Sequence, residues 1–247
     1  MKTIHIILFF CLILLIFCSN YISEQFSSNN KIIFLKGNEL FDILENNMEY
    51  YNTFYDNDLK VRNINSIDEY FDIIRNSTVN FTTMDKDILI SCIDMADKIL
   101  QEKNYNWFDG IKASKIVWKI GLIEGDKYEG GFPHTVKDTI ILNKGDINRN
   151  TEQLVKLLIH EKVHIYQKKY PDDVNEFLNE NNFIVVKNRE EKDNIRANPD
   201  IDTNVYMKDN MIYRMTYNNN PMSITDVNIN NQYYEHPFET MAIMLSK

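Results

Sequence analysis

The stretch Leu157-Leu158-Ile159-His160-Glu161-Lys162-Val163-His164-Ile165-Tyr166-Gln167 decides how this chain is read. It contains His-Glu-x-x-His, set among Leu154, Leu157, Leu158, Val163 and Ile165 at the spacings of a buried or half-buried helix. Residues four apart on a helix sit one turn above each other, so His160 and His164 project from one face. Two imidazole nitrogens so placed can bind one Zn²⁺ at about 2.0–2.1 Å each. Glu161 lies one residue round from His160. It is turned away from direct ligation, yet near enough to take a proton from a water at the metal. One turn of helix thus offers two ligands and a general base.

The surroundings favour a site over a coincidence. Asn150 or Thr151 caps the helix, with Gln153 three residues after Asn150. Lys168 and Lys169 suit the negative C-terminal end, and Pro171 stops the helix. A core helix does not carry two His and a Glu amid Leu and Ile without partners, because buried polar groups must be satisfied.

Working outward, 247 residues suffice for one sizeable core. The net charge of −9 and the lack of any basic run exclude nucleic acid as the main partner. The N-terminus opens with Lys2 and then an almost wholly apolar run from Ile4 to Cys18, broken only by His5. That length lies between a signal-peptide core and a minimal membrane span. No small-x-small cleavage site follows, so a signal-anchor over residues 1–20 is favoured over a cleaved signal peptide. No Lys or Arg follows Lys2 until Lys31, which places the N-terminus in the cytosol and the remainder outside, or secreted if the leader is cleaved. Residues 21–30 read as a linker and 31–247 as one domain. Cys92 is the only thiol beyond the leader, so there is no disulfide framework.

Within that domain, residues 31–110 read as mainly helical. Ile32–Leu35 predicts a short strand, and Asn38 to about Phe54 an amphipathic helix. Ser66 opens a helix through Ile74, and Thr83 caps one from Met84 to about Glu102. Residues 111–247 change texture. Lys115–Ile123 and Thr139–Asn143 read as neighbouring antiparallel strands. After the His-Glu-x-x-His helix come a short helix over Asp172–Glu180 and a strand at Phe183–Val186. A hairpin follows, turning at Asp209-Asn210, and a Pro237-initiated helix runs to the C-terminus.

Catalytic zinc takes three protein ligands and an open position, so one ligand must come from outside the motif. Glu239 is the first candidate, with Glu235 and His236 as alternatives. His160-Glu-Lys-Val-His164 followed by Pro237-Phe238-Glu239-x-x-Ala242 resembles the Glu-zincins, zincin metallopeptidases whose third ligand is a Glu on a later helix, followed by a small residue that lets the two helices approach. Gly130-Gly131-Phe132-Pro133-His134-Thr135, an apolar strand and the motif helix also resemble small metallopeptidase-like proteins of large DNA viruses and phages. The likeness spans about Gly130 to Ala242, which makes 111–247 a zincin-like core. There is no Asn-Glu-x-x-Ser-Asp and no third His at metzincin spacing.

The resemblance implies an α+β zincin-like fold: N-terminal helices, a small antiparallel sheet with an edge strand, an active-site helix and a C-terminal helix. It implies one catalytic Zn²⁺ held by His160, His164 and Glu239. It also implies peptide-bond hydrolysis through a zinc-activated water, with Glu161 as general base. His134, Tyr206, Tyr213, Arg214 and His236 are the candidate donors to an oxyanion or substrate. Thr139–Asn143 is the expected edge to which an extended peptide adds. Two other readings stand beside this one: a catalytically inactive, membrane-tethered scaffold, and a zinc amidase acting on a non-protein amide.

Overall fold

The frame of the molecule is a strand buried on both faces. In the computed structural model, which describes residues 32–228 and 235–247, strand Trp118–Ile123 runs through the middle of the main sheet. In chain order the strands of the two larger sheets are β1 (Ile32–Phe34), β2 (Thr78–Val79), β3 (Trp118–Ile123), β4 (His134–Val136), β5 (Thr139–Asn143), β6 (Ile184–Asn188), β7 (Asn204–Lys208) and β8 (Met211–Tyr213), and Asn104–Tyr105 pairs with Phe108–Asp109 in a minor ladder. The principal helices are α1 (Gly37–Glu45), α2 (Ile67–Ser77), α3 (Thr83–Gln101), α4 (Thr151–Lys169), α5 (Pro171–Glu180) and α6 (Pro237–Leu245). The class is mixed α+β.

The main sheet has the order β1-β3-β5-β4, with β2 sharing an edge of β3 with β1. Successive side chains of a strand face opposite ways. Trp118, Ile120 and Leu122 of β3, with Ile140 and Leu142 of β5, enter one core with Leu158, Ile159 and Val163 of α4 and the buried stripe of α3. Ile123 and Ile141 enter the other core with Leu40 and Leu44 of α1 and Ile74 of α2. Gly121 lets α1 come close, since a Cβ there would meet Leu40 Cδ1 at 2.4 Å. Covered on both faces, β3 and β5 are the near-continuous apolar runs expected of parallel strands.

Parallel is what they are, which corrects the antiparallel pairing expected between them. Apolar patterning marks a strand but does not set the direction of its neighbour. β4, inside the connection from β3 to β5, lies antiparallel to β5 and forms the sheet edge. Thr139–Asn143 is therefore interior, and the expected substrate edge moves to His134–Val136.

Other expectations shift by smaller amounts. The helix expected from Asn38 to Phe54 breaks at Asn46-Asn47 into α1 and a single turn, Met48–Tyr51. Thr82 rather than Thr83 caps α3, accepting from Asp85 N at 3.1 Å while Asp85 accepts from Thr82 N at 2.8 Å. The hairpin forms as read: Asp209 and Asn210 both take positive φ, 51° and 60°, as a two-residue primed turn requires. The first third of the chain is not separate from the core, because β1 and β2 both pair with β3.

The membrane placement is withdrawn. Among the described residues no helix is long and apolar enough to cross a membrane. The longest, α3 and α4, have 19 residues each. Both are interrupted by charge, such as Asp85, Asp94 and Lys98 in α3 and Glu152, Lys156 and Lys168 in α4, whereas a span needs about 20 predominantly apolar residues. The leader (1–20) and linker (21–30) lie outside the described residues.

Candidate metal centre

Helix α4 forms where the sequence marks it. Asn150 Oδ1 accepts from Gln153 N at 2.9 Å, and Tyr170 closes the helix before Pro171 opens α5. Leu154, Leu158, Ile159 and Val163 anchor it to the sheet, so its polar residues are carried inside. Glu161, Lys162, His164 and Gln167 are all buried. Lys162 is accounted for by structure: its Nζ donates to Ile116 O and sits 3.9 Å from the centre of the Trp118 ring.

Helix α6 brings the third group. Pro237 opens it, and His236 Nδ1 caps it by accepting from Phe238 N at 3.3 Å. Met241, Ala242 and Leu245 are buried in the same core as α4. Glu239 thus comes to rest over the two histidines. Its Oε2 is 3.2 Å from His160 Nε2 and 3.5 Å from His164 Nε2, and the two Nε2 atoms are 3.1 Å apart. A tetrahedral zinc shell at about 2.0–2.1 Å puts its ligand atoms about 3.3–3.4 Å apart. The three separations bracket that value, so the donor set fits zinc in kind and in spacing. The side chains are graded towards solvent: His164 is 0% exposed, Glu239 14% and His160 23%. Asn198 Nδ2 donates to Glu239 Oε1 at 2.8 Å, which leaves Oε2 to face the histidines.

The electrostatics of the cluster are strongly perturbed, in opposite directions for its members. Burial opposes a charge on His164, but Glu239, Asp200 and the hydrogen bond that His164 donates to Glu239 outweigh it and raise its pKa to about 9. Burial alone would raise the Glu239 carboxyl, yet His164 and His160 hold it well below the usual range. Glu161 moves the other way. Burial first, then the charges of Asp200 and Glu239, push it well above the carboxylate range against His164 and Lys168. Its Oε2 is buried without a hydrogen-bond partner. Such an orphan is costly and points to a missing partner.

Two cavities meet here. One of about 460 Å³ is lined by His160, Glu161, Glu239, Pro133, His134 and Asp200 among others. A neighbouring one of about 530 Å³ includes Glu239, His236, Tyr213 and Arg214. Of the clustered donors, His160 lines only the first and Glu239 lines both.

The remaining sequence candidates separate. His236 has both ring nitrogens engaged, Nδ1 at the helix cap and Nε2 with Asp202 Oδ1 at 3.1 Å, and it stands outside the donor cluster. Glu235 lines both cavities but is not among the clustered donors. His134 lines the first cavity, yet its Nδ1 donates to Phe132 O at 2.9 Å and its Nε2 meets the Tyr128 hydroxyl at 3.1 Å. Tyr206 donates its hydroxyl to Asp202 Oδ2 at 2.7 Å. Tyr213 and Arg214 line the larger cavity only.

Four residues were given no role at the site by the sequence, Lys168 having been read only as a helix-end charge. Arg196 lines both cavities. Asn198 orients Glu239. Asp200 and Lys168 act on the edge strand: Asp200 Oδ1 accepts from Thr135 N at 2.6 Å and Thr135 Oγ1 at 2.7 Å, while Lys168 Nζ donates to Thr135 O at 2.8 Å. His134 and Val136 flank Thr135 on a three-residue strand, so these bonds take up the outward backbone groups at its middle. No local pattern announces any of the four, since each works through a contact distant in sequence.

No family model, no curated protein and no solved structure matches this chain.

Proposed function

We propose that the protein is a zinc metallopeptidase of Glu-zincin type, with a zincin-like core. The observation that carries this is the cluster of His160, His164 and Glu239 donor atoms at tetrahedral spacing, beside the orphaned carboxylate of Glu161. An antiparallel edge strand next to the motif helix, with Thr135 O bonded to Lys168 of α4, supports the zincin-like reading.

His160, His164 and Glu239 would hold the zinc. Bound there, it supplies an acidified water and a polarised carbonyl. Glu161 takes the proton from the attacking water and returns it to the leaving amine nitrogen. Burial and neighbouring carboxylates push Glu161 towards the neutral acid. A cation held by His160, His164 and Glu239 would oppose that push and favour the carboxylate that Glu161 needs to act as a base. Asn198 keeps one Glu239 oxygen turned to the ligand cluster. Arg196, the one Arg or Lys lining the smaller cavity among the described residues, is the candidate to balance charge on the carbonyl oxygen.

The test is metal content followed by hydrolysis. Elemental analysis of the purified full chain should give about one zinc per molecule, lost in His164→Ala. A folded protein that takes up none when zinc is supplied overturns the reading.

One observation favours a second reading, a zinc amidase with a non-peptide substrate. Asp200 and Lys168 already occupy the outward N–H and C=O of Thr135, where an extended peptide would add. If peptides are the substrates, Asp200→Ala should lower KM for an unselective peptide mixture, whereas the loss of its charge beside Glu161 acts on peptides and small amides alike. A rate on small amides only, with no peptide hydrolysis gained in Asp200→Ala, favours the amidase.

A further inference from the structure

One side chain joins the second histidine to the helix that brings the third ligand. Gln167 lies three residues beyond His164 on α4 and is buried. Its Nε2 donates to Phe238 O at 2.8 Å, and its Oε1 lies 2.9 Å from His164 Nδ1. A backbone carbonyl can only accept, so the NH₂ end of the amide must face Phe238 and its oxygen must face His164. An amide oxygen can also only accept, so the proton of the neutral His164 ring sits on Nδ1. The lone pair is then on Nε2, the atom that faces His160 and Glu239. Phe238 immediately precedes Glu239, so the amide that fixes the ring of one ligand also holds the backbone that presents another.

Resting on the metal-site reading above, we propose that Gln167 is a positioning residue of the metal centre. It fixes the Nδ1–H tautomer and the orientation of His164, and it ties the start of α6 to that ring. It touches neither metal nor substrate. The surroundings make the assignment consequential. His164 is fully buried, so its Nδ1–H has no bulk water to turn to. Without the acceptor, the ring gains nothing from keeping its proton on Nδ1, and a proton on Nε2 blocks the ligating atom. Ligands oriented by such partners typically lose about 10–100-fold in metal affinity when the partner is removed.

Two substitutions of the full chain separate positioning from simple packing. Gln167→Met keeps the volume and removes both hydrogen bonds. Gln167→Glu keeps an acceptor for His164 Nδ1–H but, ionised, cannot donate to Phe238 O. Three quantities are measured: zinc affinity by competition with a chromophoric chelator, the visible bands of the Co²⁺-loaded protein, and the melting midpoint of the metal-free protein. Gln167→Met should bind zinc about 10–100-fold more weakly and shift the Co²⁺ bands, whereas Gln167→Glu should stay within about threefold of the parent in affinity. Both variants should lower the metal-free midpoint, since both lose the bond to Phe238. A packing role predicts instead that affinity follows the midpoint. The inference is overturned if Gln167→Met binds zinc like the parent with unchanged Co²⁺ bands, or if Gln167→Glu loses as much affinity as Gln167→Met. If Gln167→Met does not fold, a loss beyond about tenfold in Gln167→Glu alone overturns it. A parent that takes up no zinc is a different result: it removes the metal-site reading itself, and this inference with it.

Discussion

Replacing Glu239 with Ala removes one of three clustered donors and little else. Its Oε2 is the atom 3.2 Å from His160 Nε2 and 3.5 Å from His164 Nε2. Helix α6 keeps its other ties, the cap from His236 and the bond from Gln167 to Phe238 O, so the fold should persist. Zinc sites built from protein side chains alone are worth about 10–16 kcal/mol at neutral pH. Shared among three ligands, that is about 3–5 kcal/mol each, or about 10²–10⁴-fold in affinity for the loss of one. Glu235→Ala and His236→Ala serve as controls. Glu235 lies outside the donor cluster, and His236 has both nitrogens engaged. Each should change zinc affinity by less than about tenfold, the lower end of what losing an outer-shell partner costs. The assay is competition against a chelator of known affinity, with circular dichroism to verify folding. If Glu239→Ala binds zinc as tightly as the parent while Glu235→Ala or His236→Ala loses it, the third ligand has been misassigned.

Glu161→Gln should keep its zinc and lower any demonstrated hydrolysis by about 10²–10⁴-fold; undiminished turnover would remove Glu161 as the base. In the metal-free protein His164 holds its proton up to about pH 9, so zinc uptake at pH 7 should release about one proton or more and weaken as pH falls. Calorimetric titration in buffers of different ionisation heat measures that release, and none at all would contradict the His164 environment. In the wall of the smaller cavity, Glu129 is buried and accepts from Arg62 Nη2 at 2.6 Å and Nε at 3.0 Å. Burial would raise its pKa, but Arg62 outweighs burial and holds it below the ordinary value. Its stabilisation is therefore complete above the unfolded carboxylate pKa of about 4.3 and is lost as pH falls through the lower folded value. Glu129→Gln should cost up to about 3–5 kcal/mol near neutrality by removing the closer of the two carboxylates paired with buried Arg62, with Asp58 Oδ1 remaining 3.8 Å from its Nη1. Urea midpoints against pH should fall less steeply below about pH 4.3 in that variant than in the parent.

The part of the site that is local in sequence could be read directly. His160, Glu161 and His164 follow from one turn of helix, the Asn150 cap from its position, and the hairpin from Asp209-Asn210. Glu239 needed chemistry as well: a motif with two donors where catalytic zinc takes three protein ligands, and a later helix opened by Pro237 and carrying a carboxylate. What stayed hidden depends on partners far along the chain. β3 and β5 read as strands, but their parallel pairing depends on where the connection through β4 runs. Asp200 on Thr135 and Gln167 on Phe238 are a polar side chain meeting a distant backbone group, and polar residues in loops and helices look alike before the chain closes. His134 and His236 looked like free imidazoles until their neighbours were in place.

Two of the sheet edges among the described residues differ in what they offer a neighbouring chain. An open strand edge invites templated pairing, and proteins blunt it with charge or cover. At β4 the blunting comes from within: an anion takes the Thr135 N–H and a cation takes its C=O. At β6, an edge of the smaller three-stranded sheet, Ile184, Val185 and Val186 stand 53%, 55% and 41% exposed. Self-association at high concentration should therefore begin at the smaller sheet. Val185→Lys should raise the concentration at which light scattering appears, while Asp200→Ala should open a second route by uncovering the first edge.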